Sequence, residues 1–376
     1  MKELQDIITQ FKIDVGKDVR ISPFGAGLIN DTYKVTTAGG EYILQRINHL
    51  IFTDVELMQN NIRRITDHIA GKLAQKGESD IERKTITLIP ATDGKLYYFS
   101  GEAYWRLTKF IRNSKSFEQV TPELAHLTGV AFGNFQDMLS DLPGEPLGYT
   151  IPNFHNMEFR LEQLKEALSL DRAARLNQVK EITAEGVTQQ IKVSDIAGEL
   201  LARAEEMCKA ERLGREGKLP KRVTHCDTKV NNMLFDTDGN FLCVIDLDTT
   251  MPGYVLSDFG DFIRTAGNTA AEDEPDTSKI ALNMEIFKSF TKGYLQGAAS
   301  FLTPIEIENL PFGAKLLTYM QTVRFFTDYI NGDIYYKINY PEHNWVRTLA
   351  QFTLLKSIEK QESEMNRYIA QITNNQ

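Results

Sequence analysis

Runs of apolar and polar positions make roughly the first 110 residues strand-rich, with one helical stretch among them, and helical spacing takes over from about residue 120. Strands are expected at residues 19–23, around 33–35, at 41–47 after the Gly39-Gly40 turn, and at 103–111. Residues 84–89 and 96–100 flank Thr92-Asp93-Gly94 and predict another hairpin. Thr53-Asp54-Val55-Glu56 reads as a capping box that opens a helix running to about residue 74. From about residue 120 helices dominate. One covers 124–139 and ends at Pro143-Gly144-Glu145-Pro146, and a long one starts near 158. Met251-Pro252-Gly253 predicts a turn before a helix at 257–264, and further helices are expected at 278–295, 304–331 and 344–374. The fold class is α+β, with a small β-rich lobe over residues 1–111 and a larger, mostly helical lobe over 112–376.

Composition narrows the function. A chain of 376 residues with 42% apolar content can bury a substantial core, and its length fits two lobes. The net charge of -9 and a pI near 5.4 argue against nonspecific binding to nucleic acid or to an anionic membrane. A polyanionic ligand would need a local cationic patch. The amphipathic amino terminus lacks the apolar core of a signal peptide, and no apolar run approaches the roughly 18 residues of a membrane span. Three cysteines without metal-ligand spacing suit reduced thiols in a cytoplasmic protein.

The candidate chemistry centres on residues 223–248. His225-Cys226-Asp227 followed by Asn232 has the H-x-D-x-x-x-x-N spacing of a phosphotransferase catalytic loop. Two apolar runs, Met233-Leu234-Phe235 and residues 241–245, flank the turn-rich Asp236-Thr237-Asp238-Gly239-Asn240 and predict a hairpin. Folding that hairpin brings Asn232 and Asp246 to one end of a ribbon. An amide oxygen beside a carboxylate suits Mg²⁺, a hard cation that binds with substrate phosphates and water. Asp227 would then face the hydroxyl that receives the phosphate. The Asp258-Phe259-Gly260 triplet lies outside the hairpin, so Asp258 and Asp261 read instead as carboxylates in the first turns of a helix.

Other candidates surround this core. Gly25 and Gly27 allow close backbone approach to phosphates of ATP. Either Arg46 or Gln45 faces the nucleotide, since period-two alternation does not say which, and Glu56 is placed to pair with Arg46. Thr108 and Phe110 lie where a nucleotide base would meet a hinge. His155 and Arg160 are candidates for contact with a polar substrate. Arg324 and Asp328, four apart on a helix, pair with each other or present polar groups to substrate.

With these parts in order the chain resembles the aminoglycoside phosphotransferase and choline kinase superfamily, most closely its N-acetylhexosamine 1-kinase branch. The resemblance is carried by GLINDTYKV at 27–35, YILQRIN at 42–48, HCDTKVNNMLFD at 225–236, VIDLDTTMPG at 244–253, SDFGDFIRTAGNTAAEDEPD at 257–276 and RFFTDYINGDIYYK at 324–337. It implies a bilobal protein-kinase-like fold and transfer of the γ-phosphate of ATP to the anomeric hydroxyl of N-acetylglucosamine or N-acetylgalactosamine. It implies Asp227 as base, Asn232 and Asp246 as Mg²⁺ ligands, and Asn30 or Asp31 in a loop closing the site. The substrate-facing set is Asn30, Asp31, His155, Arg264, Arg324 and Asp328. Two departures stand out: Cys226 occupies a position where related loops have Asn or Gly, and Met320-Gln321 replaces an expected glutamate. Alternatives are kinases of another small alcohol such as homoserine, choline or an aminoglycoside, and a nucleotide-binding pseudokinase.

Overall fold

The computed structural model describes residues 2–25 and 29–374. In chain order its elements begin with α1 (Lys2–Ile8), β1 (Arg20–Pro23), β2 (Asp31–Thr37), β3 (Gly40–Ile47), α2 (Val55–Gln75), α3 (Ile81–Lys84), β4 (Leu88–Ile89), β5 (Tyr98–Phe99) and β6 (Tyr104–Lys109). They continue with α4 (Pro122–Leu139), α5 (Met157–Leu170), β7 (Val179–Ala184), β8 (Val187–Lys192), α6 (Val193–Met207), α7 (Lys209–Arg215), β9 (Arg222–Thr224), β10 (Met233–Phe235) and β11 (Phe241–Val244). The last are β12 (Met251–Gly253), α8 (Val255–Ala266), α9 (Met284–Ala298), α10 (Pro304–Glu308), α11 (Leu310–Asn331) and α12 (His343–Asn374). The chain forms two compact units. The first holds residues through Phe117 with Met138–Pro152 and Asn231–Pro252; the second holds Glu118–Asp137, Asn153–Val230 and everything from Gly253.

The first unit is built on an antiparallel sheet ordered β1-β2-β3-β6-β4, with β5 also on β6. Because side chains alternate along a strand, its two faces differ sharply. Val35, Tyr42, Leu44, Trp105 and Leu107 are buried together against Ile7, Ile8 and Phe11 from the amino terminus. Each fully buried large apolar side chain contributes about 1.5–3 kcal/mol. Thr32, Lys34, Ile43, Gln45, Arg106 and Thr108 share the opposite, more polar face. The hairpin expected from residues 84–100 does not form. β4 and β5 each pair with β6 instead, dividing the edge of β6 that β3 leaves open. The α2 helix opens one residue later than a Thr53 cap would place it, since Asp54 caps it by accepting the Leu57 N–H at 2.9 Å.

In the second unit α11 runs against α5, α8 and α12 and is buried on nearly all sides, polar Lys315, Gln321 and Asp328 included. The α4 and α9 helices approach backbone to backbone: a methyl group at Gly129, Gly133, Gly293 or Gly297 would overlap main-chain atoms of the other helix. Three expectations are corrected. The helix expected from 304 breaks at Asn309, because Pro311 has no N–H to give to the preceding turn. α9 starts at Met284, where Asn283 caps two N–H groups. Met251–Gly253 runs extended as β12 rather than turning. The β7–β8 hairpin, which reverses at Glu185-Gly186 with both residues at positive φ, was not expected.

Candidate active site

The second unit carries Asp227. The loop after β9 has no ladder partners for its N–H groups, and such groups must be satisfied when buried. Helix α8 supplies the acceptors: Asp258 takes the N–H of His225 and of Cys226, each at 2.8 Å, and Asp261 takes that of Thr228 at 3.0 Å. Asp258 also accepts from Gln136 at 2.7 Å, and its own carbonyl receives the Thr228 hydroxyl. Burial pushes the Asp258 carboxyl up to about 6 against the pull of these donors. Asp258 does stand in the first turn of α8, and the two carboxylates also clamp the loop that bears Asp227. His225, fully buried, presents its ring edge-on to Phe132 and Phe135. Cys226 sits at φ 63°, the left-handed region that Asn and Gly enter most easily, and burial pushes its thiol well up, so it stays a thiol.

The carboxylate of Asp227 is partly exposed and meets Lys229 at 3.0 Å, a partner that raises the lysine's pKa. Around it gathers positive charge. His155 stacks on Phe154, and its Nδ1 has no hydrogen-bond partner among the described residues. Burial, with Arg324, Arg160 and Arg264 nearby, pushes its imidazole down to about 3, so it is neutral at ordinary pH. Arg324 lies over the rings of Phe154 and Tyr336 and donates to Gln321 at 3.0 Å. Arg160 donates to the Phe154 carbonyl at 2.9 Å.

Two substrate-facing candidates are corrected. Arg264 is buried and occupied by Asp261 and Glu272, which makes it part of the loop's support. Asp328 does not pair with Arg324. It accepts the N–H groups of Ile334, Tyr335 and Tyr336 at 2.8–2.9 Å, together with Asn344, and so shapes the loop that brings Tyr336 to Arg324.

The first unit carries Asn232 and Asp246. Met233 pairs with Val244 in the β10–β11 hairpin, and the Ile245 N–H reaches the Asn232 carbonyl at 2.9 Å, so both residues stand at one end of the ribbon. Asp246 takes left-handed angles (φ 58°, ψ 55°) as cap of the turn Leu247–Thr249. An amide and a carboxylate are the oxygen donors a Mg²⁺ ion accepts. Among the described residues no group of three or more His, Cys, Asp or Glu side chains forms a metal cage, so such an ion would complete its shell with phosphates and water.

Among the nucleotide-facing candidates, Gly25 has φ 75°, a reason for glycine there, whereas Gly27 lies outside the described residues. Arg46 has the parity of the apolar face and pairs with Asp31 at 3.6 Å, while Gln45 is on the polar face. Glu56 accepts from Tyr97 at 3.4 Å, not from Arg46. Thr108 is half-buried on the polar face, and Phe110 meets Phe24 edge-on with Lys34 3.9 Å above its ring. Asn30 donates to Asp248 at 2.7 Å. Sequence reasoning missed Asp248 and its buried partner Arg106. The available signal was Arg106 interrupting the apolar run of residues 103–107.

The sequence profile described as the phosphotransferase enzyme family matches residues 20–283. The chain belongs to the phosphotransferase enzyme family. As a member it is an enzyme that passes a phosphoryl group to an alcohol acceptor. Solved structures with the same fold include an aminoglycoside phosphotransferase from Alicyclobacillus acidocaldarius, 10% identical over 98% of this chain and 96% of that one, with a TM-score of 0.59. A choline kinase from Cryptosporidium parvum is 13% identical over 96% of each chain, with a TM-score of 0.58. A spectinomycin phosphotransferase in complex with ADP and spectinomycin is 12% identical over 96% of this chain and 98% of that one, with a TM-score of 0.55. At such identities the likeness shows the α+β, protein-kinase-like fold of this phosphotransferase. Among its described residues no helix is long and apolar enough to cross a membrane.

Proposed function

We propose that the enzyme transfers the γ-phosphate of ATP to the anomeric hydroxyl of an N-acetylhexosamine, N-acetylglucosamine or N-acetylgalactosamine. One observation carries the choice of acceptor: the cations Arg160, Arg324 and Lys229 gather with a neutral His155 on the side of Asp227. A cationic acceptor, such as choline or an aminoglycoside, would be repelled there, at a cost that grows as water is excluded. A neutral sugar meets hydrogen-bond donors and the aromatic rings of Phe154 and Tyr336 instead. In this reading residues 1–111 form the nucleotide lobe and 112–376 the catalytic and substrate lobe. The polar sheet face and the turn at Gly25 receive the nucleotide.

Phosphoryl transfer has a loose transition state, so positioning and charge neutralisation supply most of the rate. Asp227, held by a loop that α8 clamps, orients the sugar hydroxyl and takes its proton. Lys229 holds that carboxylate in place through their ion pair. Arg324 and neutral His155 position the acceptor, and Asn232 and Asp246 would hold Mg²⁺, which would supply positive charge against that of the phosphates.

The test is incubation with ATP, Mg²⁺ and a panel of free hexosamines, hexoses, choline, homoserine and aminoglycosides, read by ADP release and phosphorus NMR. A sugar 1-phosphate is expected. Turnover confined to a cationic alcohol overturns the proposal.

A further inference from the structure

In the first unit the cation and glutamate expected to tie the sheet to α2 are not joined, as Arg46 goes to Asp31 and Glu56 to Tyr97. The buried ion pair of that unit is a different one. Arg106, on the polar face of β6, binds both carboxylate oxygens of Asp248, and both side chains are at least nine-tenths buried. Asp248 accepts in addition from Asn30, whose own oxygen takes the Asn48 N–H at 2.9 Å. Arg106 is aimed by Gln45, which accepts its Nε–H at 2.9 Å and donates to Thr32 at 3.1 Å. One carboxylate thereby joins β2, β3, β6, Asn30 and the segment that carries Asp246.

We propose that Asp248, held by Arg106, is a positioning residue that sets Asp246 for the magnesium-bound nucleotide. The inference rests on the reading of Asp246 as a magnesium ligand. Asp248 lies two residues beyond Asp246, inside the turn that Asp246 caps, so fixing Asp248 fixes the left-handed backbone of Asp246. That conformation is costly for a residue with a side chain and persists only where its surroundings hold it. Stability alone does not account for the pair. Desolvating two charges offsets most of their attraction, and apolar replacements of similar volume are often as stable or more so. Nor is the guanidinium open to phosphate, since Asp248 and Gln45 occupy its Nη and Nε edges. The sheet thus reaches the metal segment through β6 and Asp248, without a cation on β3.

The experiment compares calorimetric affinities for ATP in excess Mg²⁺ and for ATP in EDTA, together with melting temperature, for wild type, Arg106→Met/Asp248→Leu, Asp248→Asn and Asp246→Ala. The double variant removes both charges together, and Asp248→Asn keeps the side-chain shape should the double variant not fold. The gain in affinity that Mg²⁺ confers is expected to fall roughly 10- to 100-fold, the usual loss when the support of a metal ligand is removed. Affinity in EDTA should stay at the wild-type value. A folded double variant, or Asp248→Asn, with the full wild-type gain overturns the proposal. If Asp246→Ala also keeps the gain, the magnesium reading itself fails; if only Asp246→Ala loses it, the positioning role alone fails.

Discussion

Asp258 accepts the backbone N–H of Cys226 at 2.8 Å, one residue before Asp227. The position of the proposed base is therefore set by a main chain bonded to helix α8, and not by contacts of its own side chain alone. The dependence is one-directional in its consequences: disturbing Asp258 moves the loop, whereas replacing the side chain of Asp227 leaves the clamp in place.

Replacing Asp258 by Asn is expected to change how stability depends on pH. Burial raises the folded pKa to about 6, above the ordinary aspartate value, so the folded chain binds this proton more tightly than the unfolded chain does. The resulting stabilisation is full below the unfolded pKa and is lost as pH rises through about 6, an effect on the order of a few kcal/mol. Melting temperatures from pH 4 to 8 should show that decline in wild type and lack it in the variant. A difference between the two that stays constant with pH would count against the assignment.

For Asp227→Asn, kcat should drop by about two or more orders of magnitude, the range for losing a general base, while ATP binding persists. Steady-state rates beside calorimetric nucleotide affinity provide the check. Near-normal turnover would refute the role.

Asp246→Ala should weaken nucleotide binding only when Mg²⁺ is present. Titration calorimetry in Mg²⁺ and in EDTA separates the cases, and unchanged MgATP affinity would remove Asp246 from the metal site.

Loss of the guanidinium in Arg324→Gln should raise the acceptor KM roughly 10- to 100-fold, the worth of a hydrogen bond from a charged donor. The KM for MgATP should hold. A change in both would show that the variant had disturbed more than the acceptor's surroundings.

Local sequence foretold what local chemistry decides. The Asp236-Thr237-Asp238-Gly239-Asn240 cluster fixed a reversal, and with it the meeting of Asn232 and Asp246. Alternation along β3 showed that Gln45 and Arg46 point oppositely, but not which side the amino terminus would cover, and that choice was made by Ile7, Ile8 and Phe11. The Arg106–Asp248 pair joins residues 142 positions apart, beyond any local periodicity. Cys226 looked like an anomaly until its φ of 63° showed why related loops have Asn or Gly there. The Glu185-Gly186 reversal did have a signal, a two-residue turn between alternating runs, which the surrounding helical pattern obscured.

Where α4 and α9 meet at Gly129, Gly133, Gly293 and Gly297, main chain rests on main chain. No side chain at those four places is available to shorten, and any substitution must shift a helix bodily. Divergence toward other acceptors is thereby steered away from this crossing. On the proposed reading it falls to the short connections bearing His155 and Tyr336, where one exchange would alter recognition without remodelling the frame.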